Sequence, residues 1–159
     1  MILKNTTPEG FEIKPLSSEH IDSVGKIEEL CFSMPISVNN LRSILIDGIG
    51  DGFVCLETNS GKIAAYGGVI VAADEAQILN IATHPDFRKR GLGRAIVKTI
   101  INYSKGCGAE FITLEVRENN NAAIALYKLF GFCEVGRLKQ YYKNPCEDAL
   151  ILKLELGSL

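Results

Sequence analysis

Residues 88–95 read RKRGLGRA, and they stand where the apolar periodicity of the chain changes. Upstream, FVCLET (53–58), KIAAYGGVIVAA (62–73) and AQILNIAT (76–83) have the apolar and β-branched character of strands, the first two joined by the turn NSG (59–61). As neighbours in sequence they are expected to pair antiparallel. Downstream, Leu92, Ile96, Val97, Ile100 and Ile101 share one face of a helix that runs to about Lys105 and stops at Gly106. A strand that enters a helix through a glycine turn points the helix's free N–H groups, and the positive end of its dipole, at one place. Such a place suits an anion. The same residues also fit a plain glycine-rich connection with solvated cations. The local crowding of Arg88, Lys89, Arg90 and Arg94 is informative because the whole chain is slightly acidic, with a net charge of −2. That balance gives no general attraction to nucleic acid or to an anionic membrane, and neither is expected as a direct partner.

The remaining elements follow from the same two periodicities. FEIKPL (11–16) reads as a strand, and Ser17 or Ser18 caps a helix whose apolar stripe is Ile21, Val24, Ile27 and Leu30. A second helix is expected from Ser37 to about Ile46. After the glycine-turn helix come a strand, FITLEV (111–116), and a helix from about Asn121 to Phe130 that ends at Gly131. FCEVGRLKQYY (132–142) and DALILKLEL (148–156) close the chain as strands. The expectation is a mixed α/β fold: one domain over residues 1–159, with a central mixed, mostly antiparallel sheet flanked by about four helices. With 47% hydrophobic residues the chain can fill one core of that size. Its five cysteines are scattered, odd in number and free of any C-x-x-C pair, so neither a disulfide framework nor a metal site is expected. The opening residues MILKNTTPEG lack the apolar core of a secretory leader, and no apolar run is long enough to span a bilayer. A reducing cytoplasm is the expected location.

Two common phosphate-binding patterns fail on RKRGLGRA. A P-loop needs Lys-Ser or Lys-Thr after its last glycine, and a dinucleotide fingerprint needs a third glycine where Ile96 stands. The remaining pattern, R-x-x-G-x-G from Arg88 to Gly93, resembles the acyl-CoA pyrophosphate loop of the GNAT superfamily of N-acetyltransferases. LEVRENNNAAIALYKLFGF (114–132) resembles the second signature of that superfamily, with an asparagine, Asn120, before a helix that carries Tyr127 and ends in Gly131-Phe132. With NIATHPDFRKRGLGRA before it and YYKNPCEDALILKL after it, the resemblance sharpens to the bacterial RimI-like branch, which acetylates the N-terminal alanine of a small-subunit ribosomal protein. It covers residues 76–156 well and the first 75 poorly. Where that branch often has Pro-Trp-Ser after the first helix, this chain has Pro35-Ile36-Ser37, a departure that bears on the acceptor more than on the chemistry.

The resemblance implies acetyl-CoA as cosubstrate, no metal, and an amine acceptor: the N-terminus of a ribosomal or other protein, or else a small amine such as a polyamine or aminoglycoside. A non-catalytic acyl-CoA sensor is a further reading, one that would not need the two catalytic candidates. Acetyl transfer to an amine requires a neutral amine, a stabilised oxyanion and a proton for the departing thiolate. An α-amine of pKa about 7.7–8.0 is roughly 10% neutral at pH 7, while a lysine amine is below about 0.1%, so an N-terminal acceptor needs only modest help from a base. Alternation in FITLEV puts Phe111, Thr113 and Glu115 on one face, and Glu115 near the strand end is the candidate base. An ordinary charged residue on a solvated strand is its other reading. Tyr127 is the candidate acid, by resemblance, or else a packing tyrosine. The resemblance also implies that Ile81, Ala82 and Thr83 bond the pantetheine arm and acetyl carbonyl through their backbone. In the same way Lys89, Arg90, Gly91, Leu92, Gly93 and Arg94 would cradle the pyrophosphate, and Asn120 would bond a cofactor amide or cap its helix. His84 reads as a loop residue. Tyr141, Tyr142, Glu147 and Asp148 are expected to form one wall of the acceptor site, with the acidic pair suiting an N-terminus followed by arginine.

Overall fold

A computed structural model describes residues 7–157, so the reading of the chain's first six residues lies outside it. Seven strands form one sheet in the order β1-β2-β3-β4-β5-β7-β6. They are β1 (Phe11–Pro15), β2 (Gly50–Glu57), β3 (Ile63–Ala72), β4 (Glu75–Thr83), β5 (Phe111–Arg117), β6 (Cys133–Tyr142) and β7 (Glu147–Glu155). Every pairing is antiparallel except β4 with β5. That parallel pair is joined by α3 (Leu92–Gly106), as a parallel crossover requires. Helices α1 (Ile21–Cys31), α2 (Val38–Leu45) and α4 (Asn121–Leu129) complete the architecture. None of the helices among the described residues is long and apolar enough to cross a membrane.

Strand alternation divides the core between two layers. Val54 and Tyr66 are buried with Ile21, Val24, Ile27, Leu41 and Leu45 of α1 and α2. Their chain neighbours Cys55 and Ala65 are buried instead in the cluster that holds Ile96, Val97 and Ile100 of α3. Helix α3 sits close to the sheet because Gly67 of β3 lies beneath it: a Cβ there would stand 2.6 Å from Ile96 Cγ2 and 2.9 Å from Ile100 Cδ1. Gly67→Val should therefore destabilise the fold by about 1–3 kcal/mol through overpacking, seen as a lower Tm in a thermal melt. An unchanged Tm would mean that α3 can lift without loss.

One residue differs from the expectation. Leu30 is 56% exposed, although Ile21, Val24 and Ile27 are buried as expected. The stripe of α1 continues through Glu28, one turn after Val24, and this rotates Leu30 out to solvent. In the sheet β7, the last strand, lies between β5 and β6, so the closing hairpin returns inward.

Candidate active site

The parallel ladder of β4 and β5 is three pairs long, from Glu75↔Phe111 to Gln77↔Thr113. Beyond it the strands diverge around a cavity of about 280 Å³. Residues 78–81 of β4 and 114–117 of β5 all line this opening. Consecutive strand residues point to opposite faces. Four in a row from each strand can meet one cavity only where it passes through the sheet. On the α1 side it adjoins a groove of about 500 Å³ that includes Met34, Ile36, Gln77 and Tyr141.

Glu115 lines both spaces. Its neighbours Leu114 and Val116 are buried in the layer of α3 and α4, so the alternation read from FITLEV turns Glu115 to the α1 side. The Tyr141 hydroxyl is hydrogen-bonded to it, which raises the tyrosine's own pKa. Tyr127 reaches the cavity from α4, buried and packed edge-on against Phe132 at 5.6 Å. Burial, with Tyr142 nearby, pushes its phenol above the ordinary value, so the hydroxyl keeps its proton throughout the neutral range. The opening thus holds the Glu115 side chain on one side and a protonated phenol on the other. Ile81 and Asn120 line it as well. Asn120 also caps α4, its Oδ1 accepting from Ala123 N at 3.2 Å.

The glycine turn stands apart from this cavity and is linked to it through Thr83. Gly91 takes the left-handed conformation at φ +81°, which glycine adopts without strain, and so starts α3 abruptly. The first bond of the helix runs from Ala95 N to Gly91 O, leaving the N–H groups of Leu92, Gly93 and Arg94 ahead of it. No side chain caps them. A Cβ on Gly93 would lie 3.7 Å from Thr83 Oγ1 and 3.4 Å from Leu126 Cδ2, so the turn abuts the end of β4 and the flank of α4. An uncapped helix start of this kind fits a phosphate ester. Leu92 is buried and Arg90 lies over the Phe87 ring at 5.4 Å, while Lys89 adopts φ 63°. Leu92 can therefore offer only its backbone. The side chain of Ala82 is buried in the layer of α1 and α2 and does not line the cavity. His84 caps a short 3-10 turn, its Nδ1 accepting from Asp86 N at 3.1 Å.

Arg117, which the sequence reading passed over, ties the site together. Its guanidinium donates to Glu147 at 3.0 Å, to the Pro145 and Lys143 carbonyls at 2.9 and 2.8 Å, and to Ser33 Oγ at 3.0 Å. It also stacks over Tyr142 at 4.4 Å. One side chain thereby joins the β5 end to the α1–α2 loop and to the β6–β7 turn. The second oxygen of Glu147 accepts from Asn119 N at 2.7 Å, and Asp148 accepts from Arg137 at 3.0 Å and from Gln140 N at 2.9 Å. These carboxylates are engaged within the protein, which corrects the expectation that they await a basic acceptor. Tyr141 and Tyr142 do stand at the groove, ring to ring at 5.0 Å.

Both carboxylates are held below their ordinary pKa values of 4.5 and 3.8, Glu147 by the Asn119 N–H and then Arg117, Asp148 by the Gln140 N–H and then Arg137. A depressed pKa gives stability that is present above the unfolded value and is lost as pH falls through the folded one. Thermal melts should therefore show Tm dropping as pH is lowered below 4.5, with Glu147→Gln flattening the drop. A Tm equally acid-sensitive in that variant would remove Glu147 as a cause.

Residues 21–132 match the model of the acetyltransferase (GNAT) family. The ribosomal protein bS18-alanine N-acetyltransferase of Escherichia coli strain K12 is 34% identical over 148 residues, which cover 91% of this chain and 97% of that protein. The crystal structure of the ribosomal-protein-S18-alanine N-acetyltransferase from Escherichia coli superposes with a TM-score of 0.85 at 32% identity, over 94% of this chain and 96% of that one. Ard1 from Thermoplasma volcanium, at 22% identity, shares the fold with a TM-score of 0.84 over 94% and 99% of the two chains.

Proposed function

Since this chain belongs to the GNAT family of acetyltransferases, we propose that it moves an acetyl group from acetyl-CoA to the α-amine of a protein N-terminus, an N-terminal alanine of a small-subunit ribosomal protein being the acceptor. The single observation that carries the reading is the opening through the sheet, because it lets two reactants meet from opposite faces. The name of the 34%-identical relative supports the acceptor. The whole chain, 1–159, serves as one catalytic domain.

When bound, acetyl-CoA supplies the activated acetyl thioester. The α3 start holds its pyrophosphate through the N–H groups of Leu92, Gly93 and Arg94, with Lys89, Arg90 and Arg94 adding charge and Gly91 setting the turn. The backbone of Ile81, Ala82 and Thr83 orients the arm along the edge of β4 that β5 leaves unpaired. Asn120 adds a polar contact from the start of α4. Glu115 accepts a proton from the acceptor ammonium, directly or through a water, the amine nitrogen bonds the acetyl carbon as the carbon–sulfur bond breaks, and Tyr127 donates a proton to the departing sulfur.

The test is acetyl-CoA-dependent thiol release with a peptide copying the ribosomal N-terminus (Ala-Arg-Tyr-Phe), beside its N-terminally blocked form, a lysine-containing control, a polyamine and an aminoglycoside. Turnover confined to the free alanine terminus is expected. Turnover only with a small amine would move the acceptor to that class. Binding of acetyl-CoA without turnover on any of these would leave a sensor.

A further inference from the structure

Beneath the opening lies a polar group that the mechanism above does not use. Glu28 of α1 is fully buried. Its carboxylate accepts from Tyr66 Oη of β3 at 2.5 Å, and from Asn80 Nδ2 of β4 at 2.7 and 3.3 Å. The Ile36 backbone N–H, in the α1–α2 loop, bonds to it as well. Burial raises the pKa of Glu28 while these donors pull it down. A buried carboxylate survives only when it is well supplied with donors, and here they come from three separate parts of the fold.

That arrangement fixes the orientation of Asn80. The Asn80 amide nitrogen lies within hydrogen-bond distance of both Glu28 oxygens, so the asparagine turns its donor end toward Glu28. Its carbonyl Oδ1 is the atom left for the cavity. Asn80 lines both the opening through the sheet and the adjoining groove, as Glu115 does. From this geometry we infer that Asn80 Oδ1 receives an N–H of the incoming amine and thereby aims its lone pair, with Glu28 acting as the residue that holds Asn80 in that orientation. The inference rests on the amine-acetylation reading.

The chemistry explains why a second acceptor is useful. A neutral primary amine has two N–H groups and one lone pair, and only the lone pair can attack. Once Glu115 has taken a proton from the ammonium form, one N–H can bond the carbonyl oxygen of the resulting acid and the other needs a partner for the lone pair to have a defined direction. A lost hydrogen bond in a desolvated site also weakens binding directly. Glu28 never touches the substrate, so it is a positioning residue.

The experiment uses the full-length protein, acetyl-CoA and the alanine-terminated peptide. Asn80→Ala should raise the KM for the peptide about tenfold with acetyl-CoA affinity close to that of the unmodified chain, and should lower Tm because Glu28 loses a donor. Glu28→Gln, whose amide can face Asn80 and let it flip, should raise peptide KM in the same way. The milder Tyr66→Phe guards against a folding defect and should do so to a smaller extent. In the Glu28→Gln/Asn80→Ala double variant the two effects should not add. Unchanged peptide KM in Asn80→Ala, equal weakening toward peptide and acetyl-CoA, or full additivity would each overturn the inference while leaving the acetyl-transfer reading intact. No turnover by the unmodified chain on any amine would overturn that reading and this one together.

Discussion

Glu115→Gln should lower kcat by about 100-fold or more at pH 7 while leaving acetyl-CoA affinity within about twofold, because general-base catalysis contributes typically 10²–10⁴ and the group holds no part of the cofactor. Glutamine keeps the shape of the side chain and can still accept from the Tyr141 hydroxyl that bonds Glu115. What it cannot do is take a proton. The defect should therefore shrink as pH rises, since an α-amine that is roughly 10% neutral at pH 7 is about 90% neutral at pH 9. Steady-state kinetics from pH 7 to 9 check this. Wild-type turnover at pH 7 would remove Glu115 from the mechanism, and a defect that stays constant with pH would assign it a role other than deprotonating the amine.

Tyr127→Phe should cost about 100-fold in kcat with little change in either KM, as removal of one donor to developing charge does. Phenylalanine preserves the edge-on contact with Phe132, so the loss isolates the hydroxyl. The raised pKa of Tyr127 has two consequences. It keeps the donor loaded at every working pH, and it makes a free phenolate costly, so the hydroxyl works by bonding the sulfur as charge builds rather than by parting with its proton early. A thioester whose thiol is more acidic than coenzyme A needs less of that help. With such an acyl donor the gap between Tyr127→Phe and the unmodified enzyme should narrow. Equal defects with both donors would mean that Tyr127 only packs.

The parts of the fold that depend on local periodicity were readable in advance. The helix from Leu92 to Gly106 and the alternating faces of FITLEV are examples, because 3.6- and 2-residue repeats are written directly in side-chain polarity. Glu115 could be assigned to a face for the same reason. Leu30 was misread because a charged residue, Glu28, occupies the centre of the apolar stripe, and polarity alone cannot tell that three distant donors await it. Arg117 was missed on similar grounds: Ser33 and Glu147 lie 84 and 30 residues away, so no window along the chain contains the cluster. The internal use of Glu147 and Asp148 was hidden by the same distance. The resemblance implied a splayed opening beside Glu115, but the point at which the ladder of β4 and β5 ends, Gln77↔Thr113, is not marked in either strand's own sequence.

A sheet pierced where two strands part gives the molecule two reactant faces built from different elements. The side proposed for the donor is built from an uncapped helix start and a strand edge, which offer backbone groups rather than side chains. The acceptor side is built from the loop through Met34 and Ile36 and from the hairpin bearing Tyr141, which Arg117 ties to each other. Exchange of that loop and hairpin could redirect the enzyme to a new amine without disturbing the machinery on the far side of the slot. The division matches the chain's own pattern, in which residues 76–156 resemble the RimI-like branch closely and the loop around Pro35-Ile36-Ser37 departs from it.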